Sequence, residues 1–508
     1  MNLVCTAINS AWFASCFPEA RRFQKACKNP EQVQSQILRN LIRRNYATAF
    51  GREHRFASIQ SYEDFVKRVP LRSYEEIGRW IARVRKGELS VLTTVRVTHF
   101  IPTGGSTSAR KLIPFTARLQ REFNAAIAPW MCDLFRTMPT LLGGPAYWSI
   151  TPNAAFEHEN APVPSAVPIG FASDADYLGG MKAKLVEAVM VRPAAGALTE
   201  NLSEFRFATL VALLRARDLR LISVWHPSFL TLLLDDLAEN WNLLHAEMPN
   251  LPRVLPADLR ELWPRITLIS CWGDAHAESG TRDLARRFPG VTVQTKGLLA
   301  TEGCVSIPFG GKHPLAITSH FLEFIDAAGE SRLAHELEEG QTYEVVLTTG
   351  GGLWRYKLGD RVIVDGFVSK NPSIRFVGRT GQVSDLCGEK LSEEFVAGCI
   401  RQLGTDFRFA MLAPCCDAAP PNYVFIIEAP DSAACGAQLE KLLCANPHYR
   451  YARELGQLGP LQVQSVPRNA YSIYSEQLVA RGQRLGDIKP VALAKDGDWP
   501  KIFSAHAV

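Results

Sequence analysis

The sequence predicts a large α/β domain followed by a smaller α+β one. Three observations lead there: helical apolar spacing in the first hundred residues, strands alternating with helices through the middle, and a run of consecutive strands from Tyr343 that gives way beyond Arg379 to helix, strand and helix. At 508 residues the chain exceeds what one compact core holds, so two units are expected, 1–380 and 381–508.

Met1 to Phe17 is moderately apolar, but no Lys or Arg precedes the apolar stretch and Asn9, Ser10 and Ser15 interrupt it, so it reads as a first helix. Val33, Ile37, Leu41 and Ile42 place a second helix over Glu31 to Asn45, and another runs from Tyr62 to Val69, ahead of Pro70. Val95 to Ile101 is a short strand, followed by the turn-rich Pro102-Thr103-Gly104-Gly105-Ser106-Thr107-Ser108 and a helix containing Leu119 to Ile127. The alternation continues with a strand at Leu219 to Val224, a helix at Leu230 to Leu244, and strands at Arg265 to Cys271 and Val291 to Thr295. Tyr343 to Thr349, the turn Gly350-Gly351-Gly352, Leu353 to Lys357, Arg361 to Val364 and Ile374 to Val377 then form an antiparallel meander. Helices at Ser392 to Leu403 and Ala433 to Cys444, with a strand at Tyr423 to Glu428 between them, make up the small unit.

With 47% hydrophobic and 21% charged residues the chain has a globular composition. Its net charge of +5 is mild, and no basic run is interleaved with aromatics, so nucleic-acid binding is not expected. The 12 cysteines include the adjacent Cys415 and Cys416 but no CxxC and no zinc-ligand spacing, which fits reduced thiols in a cytoplasmic protein. No window approaches the roughly 20 apolar residues that a membrane span requires, so a soluble protein is expected.

Five stretches have the chemistry of a nucleotide site. The loop from Thr103 to Lys111 combines glycines, consecutive hydroxyls and the cations Arg110 and Lys111, and can wrap a polyphosphate with N–H and O–H donors. It is not a Walker A loop, and a lone Gly/Ser/Thr-rich turn is more often a solvated connection. Gly297 to Gly303 follows a strand, so Glu302 would stand where a carboxylate can hold Mg²⁺ against phosphates. Trp354 to Asp360 ends a strand in Gly-Asp, whose carboxylate can grip vicinal hydroxyls of a ribose. Phe376 to Arg379 and Gly388 to Glu393 bring Arg379 and Lys390, and Leu485 to Pro490 sets Lys489 before a proline.

The order and spacing of these pieces resemble the acyl acid amido synthetases of the plant auxin-responsive Gretchen Hagen family and their bacterial relatives, members of the adenylating superfamily. The resemblance covers nearly the whole chain. It also takes in Phe65 to Trp80, Lys111 to Pro114, Tyr147 to Pro152, Ser223 to Phe229 and Ala300-Thr301-Glu302. It implies an N-terminal adenylation domain of mixed sheets with a barrel-like part, a mobile C-terminal domain turning near Gly381, and ATP with Mg²⁺. The expected reaction is adenylation of a carboxylic acid and transfer of the acyl group to an amine such as an amino acid. A thiol acceptor (CoA or a carrier protein) and nucleotide binding without turnover are the alternatives.

By the same resemblance, Ser106, Thr107 and Ser108 are phosphate-binding hydroxyls, Thr301 a phosphate contact and Glu302 the magnesium ligand. Asp360 binds ribose with Arg379 beside it, Lys390 contacts the nucleotide, and Lys489 bridges the carboxylate and the α-phosphate. Trp148, Trp225 and Phe229 are expected to line the acid pocket, and the resemblance brings the 106–108 hydroxyls, Glu302 and Asp360 into one cleft. His226 and His276 are candidate bases by residue type alone. The sequence departs from the family at Gly104, where a serine is usual, at Leu298, where an aromatic is frequent, and at Lys357, where an arginine is.

Overall fold

A computed structural model of the chain describes residues 2–103, 111–149, 165–170, 180–193, 202–274, 277–380, 383–387, 389–415, 418, 420–466, 468–483 and 488–505. It divides into two compact units. One takes in Met1–Val224, Asn240–Ser270 and Gly290–Phe376; the other takes in Trp225–Glu239, Cys271–Pro289 and Val377–Val508.

The first unit opens on helices. α1 (Leu3–Ala26) is capped by Asn2, whose side chain accepts from the Cys5 amide at 3.1 Å, and it buries Trp12, Cys16 and Phe23. It runs past the apolar stretch that marks it in sequence and continues through Pro18. α2 (Pro30–Asn45) begins with Asn29 as cap and Pro30 in the first turn, where a missing N–H costs nothing. α3 (Ala49–Glu53), α4 (Tyr62–Arg68) and α5 (Tyr74–Arg85) follow, α5 with a full capping box between Ser73 and Glu76.

β1 (Val97–Thr103) and β2 (Lys111–Thr116) form an antiparallel hairpin, and Thr116 serves at once as the last residue of β2 and the cap of α6 (Ala117–Thr137). β3 (Ala146–Trp148), β4 (Leu221–Ser223), β5 (Leu268–Cys271) and β6 (Thr292–Thr295) lie in that order in one sheet, with β3, β4 and β5 parallel. The expected helix over Leu230 to Leu244 is two helices, Pro227–Glu239 and Trp241–Glu247, broken at Asn240.

β7 (Leu299–Ala300) and β8 (Gly303–Cys304) form a tight hairpin. The meander is a five-stranded sheet in the order β10-β9-β11-β12-β13, built from β9 (Phe321–Ile325), β10 (Ser331–Leu333), β11 (Thr342–Thr348), β12 (Tyr356–Val368) and β13 (Asn371–Arg379). Its pairing continues beyond β13: Leu315 donates to Pro372, Ile307 donates to Pro314, and Val305 donates to Leu298. The β7–β8 hairpin itself is a separate two-stranded sheet. The strands expected at Leu353 to Lys357 and Arg361 to Val364 are a single strand, β12, because a bulge absorbs the glycine between them.

The second unit is α+β. Strand Phe409–Cys415 pairs antiparallel with Asn422–Glu428, which pairs parallel with Gln462–Ser465. Helices Glu393–Arg401 and Ser432–Leu443 cover the sheet through Val396, Ile400, Leu439 and Leu443, packed on Leu412, Phe425 and Ile427. Burying each such side chain is worth about 1.5–3 kcal/mol. Helix Pro227–Glu239 belongs to this unit, tied to helix Glu278–Arg287 by Arg287 and Asp235 at 2.9 Å.

Candidate nucleotide and acyl site

The β1–β2 hairpin sets the ends of the Gly/Ser/Thr loop opposite one another, since Thr103 pairs with Lys111. Ser106, Thr107 and Ser108 themselves lie outside the described residues, as do His276 and Gly381. The base of the loop is fixed by Tyr74, at the start of α5. Its hydroxyl accepts from the Leu112 amide at 2.7 Å, and the Lys111 ammonium lies 5.8 Å from the centre of its ring. Burial pushes the Tyr74 phenol up, and the carboxylates of Glu75 and Glu302 add to the shift.

Thr301 and Glu302 form the turn of the β7–β8 hairpin, and Glu302 is 8% exposed. Directly after it the hairpin meets His320: the Cys304 amide donates to His320 Nε2 at 3.0 Å, and a Cβ on Gly303 would lie 2.9 Å from the same nitrogen. His320 Nδ1 lies 3.1 Å from Glu122 Oε2. Because Nε2 accepts, the ring proton sits on Nδ1 and is donated to the carboxylate. Glu122, on α6, also accepts from the Gly350 amide at 2.8 Å and from Arg118 at 3.1 Å, while Thr116 donates to the Gly350 carbonyl at 3.0 Å. Sequence reasoning missed both members of this pair, which stand 198 residues apart in positions no motif marks.

Past the glycine turn the chain enters β12 through Arg355, which adopts φ +46 and is held by Glu323 at 2.9 Å, the Val69 carbonyl at 3.0 Å and Ser331 at 2.8 Å. Glu344 pairs with Arg361 but Val346 pairs with Lys357, so Val345 faces three residues of β12. Gly359, at φ +81, supplies the left-handed conformation this bulge requires, and Asp360 follows it within the strand, 1% exposed. The expectation that a strand ends at Gly359-Asp360 is corrected to a bulge inside β12, where the carboxylate takes a buried position in step with Leu358 and Val362.

At the ends of the parallel strands, Lys296 follows β6 and is buried, donating to Ser223 Oγ at 3.0 Å and to the Val224 carbonyl at 2.8 Å. This lysine too went unread in sequence, where it stands outside any motif. Trp148, at the end of β3, is half-buried with its ring 6.0 Å from Trp12. It borders a cavity of about 20 Å³, room for one water.

The second unit holds the remaining candidates. Arg379 closes β13, half-buried. Lys390 is exposed and adopts φ +46; the preceding Glu389 is fully buried, its carboxylate accepting from the Leu386 and Cys387 amides at 2.7 Å and from the Tyr423 hydroxyl at 2.5 Å. The Lys489 ammonium rests 3.1 Å from the ring centre of Trp272, a buried residue whose amide donates to the Trp225 carbonyl at 2.7 Å. The ring face favours the charged amine. Trp225 is half-buried and Phe229 buried, and His226 between them is held by Ser228 at 2.5 Å, with its ring stacked at 6.4 Å on Tyr471.

Among the described residues no cluster of three or more His, Cys, Asp or Glu is placed to hold a metal, and no helix is long and apolar enough to cross a membrane. The described cysteines are all free thiols.

The family models that match the chain belong to one family. The GH3 family N-terminal domain matches residues 19–251, the GH3 family central domain 313–379 and the GH3 family C-terminal domain 401–498. The chain is 24% identical over 417 residues to the putative indole-3-acetic acid-amido synthetase GH3.10 of Oryza sativa subsp. japonica, covering 73% of this chain and 83% of that one. It is 23% identical over 543 residues to the indole-3-acetic acid-amido synthetase GH3.8 of Oryza sativa subsp. indica, covering 91% and 88%. In fold it is similar to AtGH3.15 acyl acid amido synthetase in complex with 2,4-DB, with a TM-score of 0.82 at 18% identity over 98% of this chain and 96% of that one. It is also similar in fold, with a TM-score of 0.54 at 14% identity over 95% and 92%, to 2-hydroxyisobutyryl-CoA ligase in the postadenylation state with 2-HIB-AMP.

Proposed function

The chain belongs to the GH3 family, and from that premise we propose that it is an ATP-dependent acyl acid amido synthetase. It adenylates a small carboxylic acid and passes the acyl group to an amine, most simply an amino acid. The observation that carries this in the structure is that the helix following the β1–β2 hairpin, the β7–β8 hairpin that turns at Glu302 and the glycine turn that leads into β12 are hydrogen-bonded to one another within a single unit.

In the first step a carboxylate oxygen attacks the α-phosphorus of ATP, the bond from that phosphorus to the bridging oxygen breaks, and pyrophosphate leaves with the electron pair. Little covalent help is needed, so the residues act by position and charge. Ser106, Thr107 and Ser108 donate to the phosphates with Thr301, Asp360 accepts from the ribose hydroxyls, and Arg379 and Lys390 offset the nucleotide's charge. Lys489 bridges the attacking carboxylate and the α-phosphate. Glu302 fits a magnesium ion, a hard cation that takes one or two carboxylates and leaves its other positions to phosphates and water. Bound there it supplies charge neutralisation at the polyphosphate.

In the second step an amine nitrogen attacks the acyl carbon, the bond from that carbon to the AMP oxygen breaks, and the ammonium proton passes to a base or to solvent. Trp148, Trp225 and Phe229 are the aromatic surface proposed for the acid.

The test is pyrophosphate release over a broad panel of carboxylic acids, with and without mixed amino acids, with products identified in the presence of CoA as well. Acid-dependent release and an amide product are expected, and Asp360→Ala should remove both. Release by no acid, from folded protein, would end the proposal; a thioester product in place of an amide would move it to the ligase of CoA.

A further inference from the structure

We propose that Glu122 and His320 are positioning residues that hold the Thr301–Glu302 turn in register with the glycine turn that leads to Asp360. The inference rests on the reading of Glu302 as a magnesium-binding carboxylate, and deepens it.

The geometry leaves each member a defined task. Glu122 stands in the second turn of α6, the helix entered directly from the loop-bearing hairpin. Its carboxylate fixes the Gly350 amide, and Thr116 at the cap of the same helix fixes the Gly350 carbonyl, so the two successive peptide groups that flank Gly350 are both held by one helix start. A side chain at 350 is forbidden, since its Cβ would lie 2.1 Å from Arg118 Cγ and 2.5 Å from Glu122 Oε1. The other use of the carboxylate is His320, fully buried, whose far nitrogen takes the Cys304 amide two residues from Glu302.

Cys304 lies in the second strand of a hairpin with two residues per strand, tied at its open end by Val305 and Ser306 to Leu298. The imidazole adds a hold nearer the turn, on the Cys304 amide two residues from Glu302. Loss of a hydrogen bond made to a metal ligand itself typically weakens metal affinity by roughly 10–100-fold, and His320, acting through the Cys304 amide two residues away, belongs at the low end of that range.

The experiment measures the affinity of a non-hydrolysable ATP analogue by calorimetry with and without Mg²⁺, on the full chain. Glu302→Gln should abolish most of the gain that Mg²⁺ gives. His320→Leu should reduce that gain by roughly tenfold or more while leaving the magnesium-free affinity near that of the parent. His320→Gln, which can accept from Cys304 and donate to Glu122, should restore it. Should His320→Leu not fold, Gly303→Ala, which pushes the hairpin off the ring, carries the same expectation. A folded His320→Leu or Gly303→Ala with an unchanged magnesium gain overturns the inference. An unchanged gain in Glu302→Gln overturns instead the assignment of Glu302 on which it rests.

Discussion

The His54 ring accepts at Nε2 from the Arg72 guanidinium at 2.7 Å, and because arginine only donates, the ring proton must sit on Nδ1, which donates to the Phe50 carbonyl at 2.9 Å. Burial, reinforced by the Arg72 charge, holds the pKa below its ordinary 6.5. The folded state binds the neutral ring, so the stabilisation is complete above the unfolded value and is lost as pH falls through it toward the depressed folded value. Denaturant unfolding at about pH 7.5 and about pH 5.5 should show a loss in the parent that is smaller in His54→Gln. Glu323 and Arg355 make a second residue-scale case: the carboxylate, 1% exposed, accepts from Arg355 at 2.9 Å and from the Tyr62 hydroxyl at 2.8 Å. Removing one partner strands a buried charge, so Glu323→Ala should cost about 3–5 kcal/mol by chemical denaturation.

Strand β12 carries the proposed ribose-binding Asp360 just after an irregularity. Gly359→Ala places a side chain at φ +81 inside a bulge, where the left-handed backbone costs about 1–2 kcal/mol. The space around it is open, with nothing within 4 Å of the added Cβ, so the strain is conformational and the bulge should relax by re-registering. That would move Asp360, and a rise in the Michaelis constant for ATP larger than the loss of stability explains is the expected result. The elements themselves were largely legible. The capping box at Ser73 and Glu76, the cap and proline opening α2, and the alternation through β11 are local signals that the fold follows. β12 was read as two strands because Gly359 is a breaker by residue type; only pairing with β11 makes it an extra residue in one continuous strand.

At the scale of the molecule, the unit that contains Val377–Val508 also claims Trp225–Glu239 and Cys271–Pro289, two segments from the middle of the chain. Composition could not show this, since the contacts responsible, such as Arg287 with Asp235, lie between stretches that look like ordinary amphipathic helices. Lys489 lies within this unit, its amine on the face of Trp272. If Lys489 serves adenylation alone, Lys489→Ala should lower acid-dependent ATP–pyrophosphate exchange on the order of 10² to 10³, while aminolysis of a supplied acyl adenylate continues at near the parental rate. Equal losses in both half-reactions would contradict that division.

By itself the sequence determined the class of the fold, the family, and the residues whose chemistry suits a nucleotide, because turn residues, apolar periods and motif order are local or sequential properties. Only the tertiary structure decided that Tyr74 clamps the loop's base, that Glu122 and His320 meet across 198 positions, and that a bulge rather than a strand end presents Asp360. A buried carboxylate and imidazole are costly apart and stable together, and which pair meets is set by how helices and strands pack, a fact no stretch of the chain contains alone.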